Sequence, residues 1–185
     1  INIRIAASLV ITFFFSVGLN AQLITNTGIS PAALVEDILV GDGVIVSEVS
    51  YTGTLQAIGS FNGSSTNVGL NSGIILTTGT VNDEVGGISG EQRGPFGPND
   101  TGSSGKANGE PGYGPLAAIA GVDTENAAIL EFDFVPQSDT VRFRYVFGSD
   151  EYPEFVDEGF NDAFAFFISG PGFGVTYNMA QIPGG

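Results

Sequence analysis

Six carboxylates, Asp150, Glu151, Glu154, Asp157, Glu158 and Asp162, crowd a stretch of the chain that holds no lysine, arginine or histidine. Like charges this close in sequence repel unless water, protons or a cation intervenes. The chemistry such oxygens suit is that of a hard divalent cation, calcium above all, which collects carboxylate, amide and backbone oxygens. Asp150 and Glu151 close one apolar run of β character, and Asn161 and Asp162 open the next. These four are the candidate metal ligands for Ca2+, with the Ser149 hydroxyl beside them, whereas Glu154, Asp157 and Glu158 read as solvated loop acids. The spacing is not that of an EF-hand loop, so a plain exposed acidic loop stands as the other reading. A third takes Glu151 and Asp162 as the acid and base of glycoside cleavage, which requires a cleft and a defined carboxyl separation.

The rest of the composition narrows the chemistry. The 185 residues include neither cysteine nor histidine, so disulfides, thiol nucleophiles and imidazole-based triads are excluded. No GxxxxGK[ST] phosphate loop is present. No catalytic residue and no cofactor-binding residue is assigned, and the chain is expected not to be an enzyme. A formal net charge of −15 argues against nucleic acid and anionic membrane surfaces as partners. The N-terminus carries Arg4, an apolar run at 5–17 and Ala21 before Gln22, the pattern of a secretory signal peptide over residues 1–21. That run is short for a membrane span, so no membrane insertion is expected after cleavage.

The elements that must position the acidic loop are mostly strands. Twenty-eight glycines, abundant phenylalanine and few helix formers favour an all-β domain over residues 22–185. One short helix opens at Ser30-Pro31, with Ser30 as N-cap, Leu34, Val35, Ile38 and Leu39 as its apolar stripe and Gly41 as its C-cap. Residues 43–52 alternate as a strand, with a shift of phase near Glu48 that marks a bulge. Residues 58–61 and 73–78 read as further strands, the second buried. A Gly/Pro-rich loop without regular structure is expected over 85–121.

A hairpin is expected from 127–135 and 140–148, turning at 136–139. It would set Asp133 opposite Arg142 and Glu131 opposite Arg144, leaving no nearby cation for the acidic loop. Residues 162–169 read as a central strand covered on both faces, ended by Gly170-Pro171-Gly172. Phe132, Phe134, Phe143, Phe147, Phe164 and Phe166 read as core. The architecture expected is a β-sandwich or jelly-roll-like domain, incomplete at its C-terminus.

The segments GDGVIVSEVSYTG, GLNSGIILTTG, AAILEFDFVP, VRFRYVFGSDEYP and FNDAFAFFISGPG, in this order and spacing, resemble the choice-of-anchor L domain. The resemblance runs from about residue 25 to the C-terminus and is most specific in YVFGSDEYPEF and FNDAFAFFISGPG. It implies a secreted or cell-surface protein of the kind common in Bacteroidota, outside the outer membrane. Attachment would run through a C-terminal anchor or type IX secretion sorting region that this sequence lacks. Two departures stand out: Asn126 and the segment 112–116 occupy places where the family often has acids. The expected function is a non-enzymatic surface module for adhesion or display, calcium-stabilised, whose partner is an extracellular protein or glycan. The alternative is a glycan-binding accessory domain or a carbohydrate-active enzyme using its acidic residues.

Overall fold

The computed structural model describes residues 23–82, 107–149 and 162–181. The expected signal peptide at 1–21 and the part of the Gly/Pro-rich loop up to residue 106 lie outside these. The described chain is mostly strands in antiparallel sheets with two short helices, in agreement with an all-β class.

Strands β1 (Ile24–Asn26), β3 (Ile58–Asn62) and β4 (Ser72–Leu76) form one antiparallel sheet in the order β1-β3-β4. Helix α1 (Pro31–Leu34) packs against it. Its start is built as the residues dictate: the Ser30 hydroxyl accepts from the Ala33 amide at 3.2 Å, and Pro31 takes a position whose missing N–H costs nothing. The helix runs on as a π-helical turn, Val35–Leu39, and the Val40 amide donates to the Val35 carbonyl at 3.1 Å. That wide closure lets Val40 leave in an extended conformation, so the expected cap at Gly41 is not used. Leu34 and Val35 are fully buried with Ala57, Ile58 and Val81, and these five residues are the centre of the core. Each large side chain withdrawn from water here stabilises the fold by about 1.5–3 kcal/mol. Among the described residues the one buried polar side chain, Thr25, donates to the Val81 carbonyl (3.3 Å) and to the side-chain oxygen of Asn82, pinning the segment after β4 onto β1.

β4 is less enclosed than its apolar sequence suggests. It lies at the edge of its sheet, and Leu76 is exposed.

Strand β2 (Val44–Thr52) pairs antiparallel with β5 (Ile129–Pro136). The phase shift at Glu48 is a bulge, as the sequence indicates: the register steps from Ser47↔Asp133 to Ser50↔Glu131, and Glu48 sits at φ 52°. This pairing overturns the expected hairpin. Asp133 and Glu131 face serines of β2, residues 141–149 join no ladder among the described residues, and Arg144 donates to the Gly69 carbonyl at 3.0 Å. β5 takes its ladder from a segment distant in sequence, and the adjacent segment meets it through side chains instead, Phe134 packing edge-on against Phe143.

Helix α2 (Gly114–Ala120) corrects the expectation of an irregular 85–121. Pro115 sits in its first turn and Gly121 adopts the left-handed φ of 74° that closes a helix. Strand β6 (Phe167–Gly170) pairs with β7 (Phe173–Asn178) across a turn at the expected Gly-Pro-Gly, but it starts five residues later than expected and has one partner strand. Among the described residues no helix is long and apolar enough to cross a membrane.

Tyr51, on β2, reports on the packing there. Its hydroxyl donates to the Thr54 carbonyl at 2.9 Å, and burial, followed by the negative charge of Glu110, pushes its pKa up from 10.0 to about 12. A tyrosine is neutral when protonated. Above pH 10 the unfolded chain therefore releases a proton that the folded chain keeps until about pH 12. Stability present below pH 10 is lost across that window. We expect the melting temperature of the wild type to fall more steeply from pH 10 to 12 than that of Tyr51→Phe; parallel curves would refute the assignment.

Candidate functional site

The acidic loop leaves the described structure after residue 149 and returns at Asp162. Between β5 and this point the chain is positioned by rings rather than by a ladder. Phe134 on β5 meets Phe143 edge-on at 6.5 Å between centroids, and Phe143 lies 4.7 Å from Phe166. Further along, Phe164 packs against Tyr145 at 5.3 Å and against Phe147 at 5.9 Å. Segments 141–149 and 162–166 thus run side by side, held by alternate aromatic residues. The second segment is fixed in turn to β7: the Phe166 amide donates to the Asn178 side-chain oxygen (3.0 Å), and the Met179 amide to the Phe166 carbonyl (2.8 Å). Tyr113, the residue that precedes α2, adds a further contact, its ring edge-on to Phe167 at 6.4 Å.

At the far end of this paired path the Ser149 hydroxyl donates to the Asp162 carboxylate at 3.0 Å. The two ends of the acidic segment therefore meet through side chains thirteen positions apart. Of the four sequence-derived ligands, Asp162 is placed at this junction, while Asp150, Glu151 and Asn161 lie outside the described residues. Among the described residues no group of three or more aspartate, glutamate, histidine or cysteine side chains converges as a metal site would require.

The aromatic residues read as core prove to be a half-buried layer. Phe132, Phe134, Phe143, Phe164 and Phe166 are partly covered, and the layer opens to solvent near the loop, where Tyr145 is 51 % and Phe147 49 % exposed. Alternation in the sequence marks which residues share a face but not whether a second layer covers that face.

A second constellation, centred on Asn126, lies just before β5. The Asn126 backbone stands at φ 58°, and its amide donates to the Glu110 carbonyl at 2.8 Å. Its side-chain oxygen accepts from the Gly109 amide (2.9 Å), and its carbonyl accepts from the Asn108 side chain (2.8 Å). The Asn126 amide thereby closes a clasp between 108–111 and the segment leading into β5.

These features define an antiparallel β module in which Ser149 and Asp162, flanking the acidic segment in sequence, are hydrogen-bonded. The choice-of-anchor L domain matches residues 23–185, nearly the whole chain, and the chain belongs to that family. Membership marks it as an extracellular or cell-surface module, and the family is not one of enzymes. Neither curated proteins nor solved structures gave a match.

Proposed function

We propose that this chain is a non-enzymatic surface module serving adhesion or display, with calcium bound at the base of its acidic loop. The calcium reading rests on the Ser149–Asp162 hydrogen bond, which brings the loop ends together beside Asp150, Glu151 and Asn161 in sequence. Carboxylates crowded in sequence next to such a junction favour a divalent cation, since each added negative charge otherwise raises the free energy of the folded state. The lack of imidazole and thiol groups leaves oxygen as the donor set, which suits calcium rather than zinc.

Export by the N-terminal signal and attachment through a C-terminal sorting or anchoring region belong to the same reading. So does a sandwich arrangement, in which the half-buried aromatic layer is the inner face. The binding partner is an extracellular protein or a glycan. A glycan-binding accessory role gains specific support from the exposed rings of Tyr145 and Phe147, since flat aromatic faces are common anchors at binding surfaces and Tyr145 adds a hydroxyl that can hydrogen-bond.

Thermal melting with millimolar calcium and with chelator tests the metal. A site filled to about one hundred times its dissociation constant adds roughly 2.7 kcal/mol to stability. The midpoint is expected to rise with calcium in the wild type and to respond less in Asp162→Asn. Coincident melting curves with calcium and chelator would remove calcium from the proposal.

A further inference from the structure

Two Asn-Gly pairs occur in the chain, Asn62-Gly63 and Asn108-Gly109. This dipeptide is the one most prone to deamidate, because glycine leaves its own amide nitrogen sterically open. The nitrogen of the glycine attacks the asparagine carboxamide carbon, ammonia departs, and a cyclic imide forms. Water then opens the imide at either carbonyl, giving aspartate or isoaspartate. The reaction needs the glycine amide to lose its proton and the asparagine side chain to rotate towards it.

At Asn108 the structure opposes both requirements through a single residue far along the chain. The Gly109 amide, the nucleophile, donates its proton to the Asn126 side-chain oxygen at 2.9 Å. The Asn108 side-chain nitrogen, which leaves as ammonia, donates to the Asn126 carbonyl at 2.8 Å, and the Asn108 side-chain oxygen accepts from the Glu110 amide at 2.9 Å. The Asn108 backbone amide is itself tied to the Thr78 carbonyl at 2.9 Å. Gly109 is exposed and at φ 80°, so water reaches the backbone once these bonds open.

We propose that Asn108-Gly109 is a deamidation site gated by Asn126, so that its conversion follows local opening of the clasp between 108–111 and 126–127. The product would keep the clasp from closing again. An aspartate at 108 sets a carboxylate oxygen against the Asn126 carbonyl, where an N–H donor stood, and an isoaspartate lengthens the backbone within the clasp. Because ammonia is lost, conversion is irreversible, and the clasp stays weakened once it has occurred.

Asn62-Gly63 supplies an internal reference. The Gly63 amide donates to the Asn71 carbonyl at 2.9 Å, a bond in which Asn126 takes no part. The full chain is incubated at mildly alkaline pH, folded and in denaturant, and both asparagines are followed by peptide mapping with isoaspartate detection. Folded wild type is expected to convert at Asn108 at least about tenfold more slowly than denatured chain, since reaction waits on opening. Asn126→Gly keeps a residue at ease with positive φ and removes only the side-chain acceptor. It should speed conversion at Asn108 by about tenfold, in line with the loss of one hydrogen bond, and leave Asn62 unchanged. Asn126→Asp retains an acceptor oxygen and should stay near the wild-type rate. Equal rates at Asn108 in folded and denatured wild type would overturn the proposal. So would an Asn126→Gly rate unchanged at Asn108, or one raised equally at both asparagines.

Discussion

Leu34→Ala is expected to cost about 2–5 kcal/mol of stability, the range for emptying a fully enclosed leucine site. Leu34 closes α1, shows no exposed surface and packs where the helix meets β2 and β3. The walls of this site belong to a capped turn and a three-stranded sheet, neither of which can collapse inward without breaking the Ser30 cap or the β1-β3-β4 ladder. For a domain of this size the loss corresponds to a fall of about 4–20 °C in melting temperature. Leu55→Ala is the matched comparison, because Leu55 is 62 % exposed and its truncation should change stability by no more than about 0.5 kcal/mol. If the two variants melt together, the core has been wrongly located.

Gly112→Ala should be at least as damaging, for the opposite reason. A Cβ built on Gly112 would lie 1.6 Å from the Thr124 carbonyl oxygen and 2.3 Å from the carbon that bears it. The obstacle is backbone, so no rotamer change relieves it. Thr124 cannot retreat freely either. Its hydroxyl accepts from the Tyr113 amide at 3.0 Å, Pro111 and Glu125 form a bridge, and the Ala127 amide donates to the Pro111 carbonyl at 3.2 Å. Overpacking of a fitted site costs about 1–3 kcal/mol and more where backbone must move; here we expect the upper end or beyond. Gly114→Ala, two positions on, meets no atom within 4 Å and begins a helix, so it should be neutral or slightly stabilising. Equal melting of the two alanine variants would contradict the close approach of 112 and 124.

What the sequence reveals here is local. The Ser30-Pro31 start, the bulge at Glu48, strand β3 and the Gly-Pro-Gly turn after β6 all follow from residues within a few positions of one another. What it conceals is long-range. Alternation in 129–136 and 141–148 makes each segment fit to be a strand, but it does not say which distant segment supplies the ladder, and β5 pairs with β2, some eighty residues earlier. The helix at 114–120 was hidden for a different reason: glycines and prolines around it outweigh the Pro-to-Gly frame in which Leu116, Ala117 and Ile119 sit. At the candidate site, charge density located the acidic segment, and the Ser149–Asp162 contact shows its ends together. The exposure of Tyr145 and Phe147 was not legible, because period-two alternation is the same for a covered face and an open one.

The bulge in β2 also says something about how this strand tolerates change in length. Val44 and Val46 before it, and Val49 and Tyr51 after it, are the partly covered residues of the strand, and Glu48 is the exposed residue that separates the two sets. Removing Glu48 from the sequence restores unbroken alternation from Val44 to Tyr51 with every inward residue still inward. Glu48 therefore behaves as a one-residue insertion that the ladder sets aside, much as a reading frame is kept when an extra letter is skipped. Its left-handed backbone is the local strain that keeps the two halves of the strand in phase with one face. The strand can gain or lose that residue without exchanging its inside for its outside.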